Sequence, residues 1–484
     1  MNIPVVPTIP EGVKVSLVLD FQKNELPDYL TDEMKNEMNQ VEFNFKKGET
    51  YSYIHKNNGE RHDTIFAGLG EQDKFEPEVL RKAVAKAIRS AAGFKPIDAV
   101  CITRYPELDS MQVLGRIIGE AVEMAMYKFD RLLSKKNESN LKEVYILDNF
   151  DMELEQGIAE GIAIGKAVNF ARDMVNEPAN VVTPTELARR AYDAGIEHGL
   201  HVEIHNKEYI QANKMDAYWS VAKGASEEPK LIIMRYEGNP DSDSIFGLVG
   251  KGLTYDSGGY CIKTADGMVT MKADMAGSAA VIGAMLAISD LKPKINVTAV
   301  VAACENMISG DAYRTGDIIG SMAGKTIEVL NTDAEGRLTL VDAVHYIIEK
   351  EKVFGLLDIA TLTGAQVVCL GTTASAVVTN DEALLEALEA ASEHTGEKIW
   401  QLPNFEEYKD LLKSEIADLK NVGGREAGTI TAGMFIEEFV QGKPWLHVDM
   451  AGLALSPKTK DYTPSGATGW GVRLITSLIE NLSE

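Results

Sequence analysis

The sequence has few cysteines and lacks the hydrophobic signals of export or membrane insertion. Its four cysteines, Cys101, Cys261, Cys304 and Cys369, are widely spread and form no CxxC pair. This pattern excludes a disulfide framework and indicates free thiols in a reducing compartment. No basic N-terminal region precedes an apolar core, and no uninterrupted apolar run is long enough to cross a bilayer. We therefore expect a cytoplasmic protein with no membrane partner.

Positive charge is also scarce, and several catalytic motifs are missing. Forty-eight basic residues against 73 acidic ones give a net charge of -25, which argues against a nucleic-acid partner. None of the eight histidines belongs to an HExxH motif, and no GxSxG elbow supports a serine hydrolase. The run Gly320–Thr326 resembles a phosphate-binding loop, but it has one residue too few and leads into a strand. Cys261 has no histidine near it in sequence, so we interpret it as a packed thiol; Trp400 and Trp445 are interpreted as core.

The length and the pattern of strands and helices predict an α/β protein with two domains. A chain of 484 residues is too long for one ordinary core. Strand and helix signals alternate over residues 1–150, which predicts a small N-terminal α/β domain for assembly or shielding. A long helical pattern connects the domains over residues 151–178. Residues 179–484 are then expected to form a larger α/β domain.

Local sequence patterns predict individual strands and helices in both domains. In the first domain we expect strands at Val15–Leu19, Thr64–Leu69, Asp98–Thr103 and Glu143–Leu147, and helices at Pro77–Ala92 and Gln112–Leu133. The connecting helix is expected at Glu153–Val175. In the second domain the apolar runs Leu231–Met234, Ile245–Val249, Val297–Ala303 and Leu356–Ala360 predict a central, mostly parallel sheet covered by helices. Ligands of such sheets bind at the carboxyl ends of the strands.

The octet Asn331–Leu338 has the sequence Asn-Thr-Asp-Ala-Glu-Gly-Arg-Leu and lies between a strand and a helix signal. The run Thr326–Leu330 is β-branched and apolar, whereas Leu338–Ile348 repeats apolar residues at helical spacing. Asp333 and Glu335 would project to the same side of an extended backbone. Such an acidic turn is most often a helix cap, so its interpretation depends on further acidic groups elsewhere.

Two further acidic segments supply those groups. Gly250–Lys263 follows the Ile245–Val249 strand and carries Asp256 among several glycines. Met271–Ser278 opens the next helix and carries Asp274. Converging carboxylates at one sheet edge cannot all stay ionised without cations, so the pattern predicts two divalent ions and hydrolytic chemistry.

The residues alone leave open the identity of the metal and the role of two neighbouring lysines. Oxygen ligands favour Mn or Mg, and Zn is tolerated by carboxylates. Lys251 and Lys263 flank Asp256 and are either counter-ions of the acids, or a polarising group and a neutral metal ligand.

These segments resemble the leucyl aminopeptidases of the two-metal M17 cytosol aminopeptidase family. The resemblance covers roughly Asn176 to Arg473 and rests on the octet, the Lys251–Lys263 and Met271–Met275 segments, Asp358–Gly364, His447–Gly452 and Gly466–Arg473. The first domain matches by size and pattern only. The resemblance implies a metallopeptidase that hydrolyses the N-terminal residue, leucine among others, from peptides with a free N-terminus.

The resemblance also implies roles for eleven residues. The metal ligands would be Lys251, Asp256, Asp274, Asp333 and Glu335, with Asp256 and Glu335 bridging two ions (Mn or Zn, or else Mg or Co). Lys263 would polarise the scissile carbonyl, and Arg337 would hold a bicarbonate that acts as general base on a metal-bridging water. Met271, Thr361, Gly364 and Ala451 would border the pocket for the first side chain. The implied assembly is a homohexamer, a dimer of trimers.

Two other functions are compatible with parts of the sequence. Some members of this family also bind DNA or act as regulators, although residues 1–150 have no clustered stripe of Lys and Arg. A second possibility is another two-metal hydrolase, such as a phosphoesterase.

Overall fold

The computed structural model describes residues 1–57, 60–94, 97–136 and 141–483. They form two compact units, Met1–Asn169 with Pro457–Ser465, and Phe170–Ser456 with Gly466–Glu484. Both units combine a sheet with helices, which confirms the predicted α/β class. The short return of the chain to the first unit at Pro457–Ser465 was not predicted.

The first unit contains a six-stranded sheet in the order β1-β6-β5-β2-β4-β3, in which only the β3–β4 pair is antiparallel. Its elements are β1 Val5–Val6, β2 Val15–Asp20, α1 Asp32–Gln40, β3 Thr50–Asn57, β4 Glu60–Gly68, α2 Pro77–Ala92, β5 Ala99–Arg104, α3 Met111–Ala125 and β6 Glu143–Leu147, with a 3₁₀ turn at Gln72–Lys74. The four predicted strands of this unit are confirmed.

The helix predicted at Gln112–Leu133 is too long, because α3 ends at Ala125. The side chains of Leu132 and Leu133, at the end of the predicted range, are both 58% exposed. Without apolar burial, little favours continuing the helix there.

The connecting helix α4 spans Met152–Asn176 and agrees with the predicted range to within one residue at each end. It packs closely on α3, because a Cβ atom at Gly157 or Gly161 would collide with the backbone of α3. The glycines therefore allow a short distance between the two helix axes. Pro178 follows two residues after the helix, as expected for its end.

The second unit is built on an eight-stranded mixed sheet in the order β15-β14-β17-β13-β9-β10-β8-β7. Its strands are β7 His201–His205, β8 Lys230–Glu237, β9 Ile245–Asp256, β10 Asn296–Asn306, β13 Gly355–Ala360, β14 Ser375–Thr379, β15 Ile399–Gln401 and β17 Trp445–Asp449. Short strands outside this sheet are β11 Ile318–Ile319, β12 Ile327–Glu328, β16 Leu419–Lys420, β18 Leu455–Ser456 and β19 Gly466–Ala467. All four predicted apolar strands lie within the eight-stranded sheet.

Helices cover this sheet. They are α5 Pro184–Glu197, α6 Lys207–Ala212, α7 Asp216–Ala222, α8 Ala265–Met268, α9 Ala276–Leu291, α10 Gly336–Glu351, α11 Gly364–Leu370, α12 Glu382–Thr395, α13 Gly428–Glu437 and α14 Val472–Asn481, with 3₁₀ turns at Met271–Ala273 and Glu406–Leu412. The octet follows β12 and leads into α10 as predicted, although α10 already begins within it, at Gly336. Gly250 packs against Ser278 of α9, whereas Lys251, the next residue, packs against Gly336 of α10. Since successive side chains alternate between faces, α9 and α10 cover opposite faces of β9.

Burial accounts for one long apolar stretch and corrects the interpretation of one tryptophan. The stretch Ala265–Leu291 is long and apolar enough by composition to cross a bilayer, yet 89% of its apolar window is buried inside the protein. It includes a core helix, α9. Trp400 is 67% exposed on the edge strand β15, so it is not a core residue, whereas Trp445 is fully buried as expected.

Candidate metal centre

The parallel strands β9, β10, β13 and β17 end at the same edge of the sheet, where a cavity of about 680 Å³ opens. All eleven residues singled out from the sequence line it: Lys251, Asp256, Lys263, Met271, Asp274, Asp333, Glu335, Arg337, Thr361, Gly364 and Ala451. Cys261 is absent from this lining and is partly exposed, with its thiol 3.4 Å from the Thr315 hydroxyl. The cavity thus joins residues that are separated by up to two hundred positions.

A β-bulge in β9 directs two of these side chains to the same region. The pairing of β9 with β10 shifts by one residue between Cys304 and Glu305, so that Thr254 is the extra residue of β9. Lys251 and Asp256 are five positions apart and would face opposite sides of a regular strand. The extra residue changes this parity, and both side chains reach the cavity.

Two lysine ammonium groups each contact two carboxylates in this cavity. Lys263 Nζ lies 2.7 Å from Asp256 Oδ2 and also pairs with Asp333 Oδ1. Lys251 Nζ lies 2.8 Å from Asp274 Oδ1 and 3.1 Å from Glu335 Oε1. Four carboxylates therefore share two ammonium groups, which leaves an excess of negative charge in a mostly buried site.

The pKa values of the acids respond to this crowding. Burial, with the charge of Asp256, raises the pKa of Glu335 from its ordinary 4.5 to about 8, although Lys251 lowers it. Burial also raises the pKa of Asp274 to about 6 against the opposing effect of Lys251. For Lys251, burial lowers the pKa but the charges of Asp274 and Glu335 outweigh it, so its pKa is raised. With the protein's charges alone, the acids are under-neutralised.

The donor set fits divalent cations. Asp256, Asp333 and Glu335 offer ligand oxygens that all lie within 4.8 Å of one another. The buried atoms Asp274 Oδ2 and Glu335 Oε2 receive no hydrogen bond from any residue that the structure describes. Buried carboxylate oxygens without donors are costly unless a cation binds them. An oxygen-rich set of this kind suits Mn or Mg, and Zn is also accommodated.

Arg337 offers an anion-binding group beside the carboxylates. It follows the first residue of α10, and its Nη1 donates to the Asn421 carbonyl at 2.9 Å. Its buried Nε has no acceptor within the described ranges of the chain. Burial lowers the pKa of the guanidinium to about 10, so it stays cationic at neutral pH.

The rest of the cavity has an apolar wall that sequence motifs indicated only in part. Met271 and Ala451 were expected there, but Val367, Ala454 and Leu455 also line the cavity. These three carry no chemical signature. Only their positions, on α11 and just after β17, could have suggested them.

Both units match models of one protein family. Residues 169–476 match the cytosol aminopeptidase family, catalytic domain, and residues 12–136 match the N-terminal domain of that family. A probable cytosol aminopeptidase of Clostridium perfringens is 47% identical over an alignment of 472 residues that covers 94% of this chain and 94% of its own. One from Alkaliphilus metalliredigens is 46% identical over 92% of this chain and 91% of its own.

Solved structures agree with these relatives. The bottromycin maturation enzyme BotP in complex with Mn superimposes with a TM-score of 0.88 at 29% identity, covering 98% of this chain and 100% of its own. A second structure of BotP gives a TM-score of 0.86 at 28% identity with the same coverage. The chain therefore belongs to the cytosol aminopeptidase family, and its reaction class is that of an aminopeptidase.

Proposed function

We propose that this protein is a two-metal aminopeptidase that removes the N-terminal amino acid, leucine among others, from peptides. The observation that carries the proposal is the group of four carboxylates, mostly buried, with only two ammonium groups among them, at the end of an apolar-walled cavity. In a family of aminopeptidases, such a site has the chemistry needed for metal-assisted hydrolysis.

The five proposed metal ligands are Lys251, Asp256, Asp274, Asp333 and Glu335, with Asp256 and Glu335 shared between the two ions. Mn or Zn are the preferred candidates, and Mg or Co the alternatives. Such ions, when bound, activate water for attack and neutralise developing negative charge. They would also counter the carboxylates that raise the pKa of Lys251 and so favour its neutral form.

Lys263 and Arg337 are proposed to act on the reacting groups. Burial lowers the pKa of Lys263, but Asp256 and Asp333 raise it by more, so the net shift is upward. The ammonium therefore stays charged at neutral pH. Its side chain is 18% exposed, which leaves it accessible from the cavity. A fixed cation there would polarise the scissile carbonyl and stabilise the oxyanion. Arg337 would hold a bicarbonate that accepts the proton of the attacking water.

The proposed metal centre would also account for a preference for free N-termini. A free α-amino group could serve as a ligand of one of the ions, whereas an internal peptide bond has no such group. Met271, Thr361, Gly364 and Ala451 would border the first side chain. Their small or apolar character suits an apolar residue such as leucine.

Location and assembly are part of the same proposal. The names of the relatives support a cytoplasmic enzyme. The resemblance supports a homohexamer, and the net charge of -25 argues against a nucleic-acid partner.

Hydrolysis profiling after metal removal tests the function. The chelated enzyme is reconstituted with Mn, Zn, Mg or Co and assayed on leucine amide, N-acetyl-leucine amide and a phosphate ester. We expect metal-dependent hydrolysis of leucine amide alone. Asp333→Ala should abolish it while circular dichroism stays unchanged, and the exposed Asp311→Ala serves as the control. Phosphate-ester hydrolysis alone would overturn the proposal in favour of another two-metal hydrolase.

A gel shift at physiological salt tests the regulatory alternative. Tight, sequence-specific DNA retention would add a DNA-binding role, whereas its absence would leave the peptidase alone.

A further inference from the structure

Asn306 is the last residue of β10 and is fully buried. No motif in the sequence marks it. The bulge at Thr254 sets it directly opposite Asp256, the last residue of β9. The strands β9 and β10 therefore end side by side at the carboxylate cluster.

The side-chain amide of Asn306 forms hydrogen bonds with two of the acidic segments of the site, the one that ends β9 and the one that leads into α10. Its Nδ2 donates to Asp256 Oδ1 at 2.8 Å and to the carbonyl of Thr332 at 3.0 Å. Thr332 immediately precedes Asp333, and its carbonyl also accepts from the Tyr313 hydroxyl at 2.8 Å. Asn306 thus links the segment after β9 to the segment before α10, which are otherwise separate in sequence.

The orientation of the amide follows from its neighbours. Both atoms next to Nδ2 are acceptors, so a flipped amide would place Oδ1 against two oxygens. In the observed orientation, Oδ1 receives no hydrogen bond within the described part of the chain and lies beside Gly259. A buried acceptor without a donor reduces stability, so the amide is not optimised for stability alone.

The contact with Asp256 defines which carboxylate oxygen is available. Asp256 Oδ1 accepts from Asn306 Nδ2 and from the Gly258 amide, both at 2.8 Å. Two donors on one oxygen restrict rotation of the carboxylate and direct Oδ2 towards Lys263 and the cavity. Groups of this kind, outside the ligands themselves, commonly orient metal-binding carboxylates.

We propose that Asn306 is a positioning residue of the metal centre, which orients Asp256 and fixes the Asp333 segment relative to it. The inference rests on the proposed two-metal function. The same strand provides an internal comparison, because Asn296 at its other end is also a buried asparagine. Its Nδ2 donates to the carbonyls of Asn239 and Ser242 at 2.9 and 2.7 Å, and none of these three residues lines the cavity.

Calorimetric titration of the chelated full-length protein with Mn²⁺ tests the inference. We expect Asn306→Ala to weaken Mn²⁺ affinity about 10- to 100-fold, the usual effect of losing an outer partner of a metal ligand. Asn296→Ala should leave the affinity unchanged, and Asp256→Ala should abolish binding at the shared position. Asn306→Ser, whose hydroxyl is too short to reach both acceptors, is the second variant should the alanine variant fold poorly.

The outcomes separate this inference from the proposed function. Weaker binding in both Asn306 variants, with wild-type affinity in Asn296→Ala, supports it. Wild-type affinity in an Asn306 variant overturns it, and so does an equal loss in Asn296→Ala, because that would reflect general damage to β10. Unchanged binding in Asp256→Ala would instead overturn the proposed ligand set.

Discussion

Replacing Glu335 by glutamine should stabilise the metal-free protein while it destroys the metal site. Glu335 is 1% exposed, and burial together with Asp256 raises its pKa from 4.5 to about 8. Glutamine has nearly the same shape but cannot ionise. The substitution therefore removes the penalty of ionising a buried carboxyl beside other carboxylates.

The magnitude follows from proton linkage. Between the unfolded pKa of 4.5 and the folded pKa near 8, the folded state binds a proton that the unfolded state has lost, so stability falls as pH rises. Each pH unit in this window costs about 1.4 kcal/mol, which gives on the order of 3 kcal/mol by pH 7. Interactions of Glu335 with Lys251 are already contained in the shifted pKa.

Chemical denaturation in chelator between pH 5 and 8 provides the assay. Wild-type protein should lose stability across this range more steeply than Glu335→Gln, and the two should converge near pH 5. Glu349→Gln, on the exposed side of the same helix, should follow the wild type. With Mn²⁺ at about 100 times its Kd, wild type should gain about 2.7 kcal/mol and the variant less. A variant that is less stable than wild type at pH 7 in chelator would refute the reasoning.

Three further predictions concern the cavity and its supporting strands. Lys263→Ala should lower kcat at least tenfold with little change in KM for a leucyl peptide, and a rise in KM alone would contradict oxyanion stabilisation. Arg337→Met should remove any activation by added bicarbonate while calorimetric Mn²⁺ affinity stays unchanged. Asp358 accepts hydrogen bonds from His447 at 2.6 Å and Trp445 at 2.7 Å in a fully buried group, so Asp358→Ala should cost about 3–5 kcal/mol in a denaturant titration. Burial lowers the pKa of His447, but the charge of Asp358 has the larger effect, so the pKa is raised above 6.5. The stabilisation of the fold by the His447–Asp358 pair should therefore be largest below pH 6.5 and decline at higher pH.

The larger pattern of the fold could be predicted because it depends on local signals. The apolar runs of β8, β9, β10 and β13 reflect burial on both faces of the sheet, which is visible in composition alone. The acidic segments likewise stand out, because carboxylates after such strands have few structural reasons to cluster. These two signals were enough to expect the four carboxylates and the two lysines. The other five residues, Met271, Arg337, Thr361, Gly364 and Ala451, were expected only from the resemblance to the family.

Features that depend on partners distant in sequence could not be predicted. Trp400 resembles a core residue, but it lies on an edge strand, and strand order is not encoded in a single apolar residue. The return of Pro457–Ser465 to the first unit is likewise a tertiary property. Asn306 has no recognisable motif, because its importance comes from standing opposite Asp256 across a bulge.

The extra residue in β9 makes the length of this segment as important as its composition. Inserting one further residue between Lys251 and Asp256 would retain every one of the five proposed ligands, yet without a second bulge it would turn Asp256 towards the α9 side of the sheet. Deleting Thr254 would instead remove the bulge and leave the two residues four positions apart, on one face of a regular strand. Natural variation in this segment should therefore consist of exchanges and not of single-residue insertions. A designer who grafts the site with its natural spacing onto another parallel sheet would have to transplant the irregular strand together with the acids.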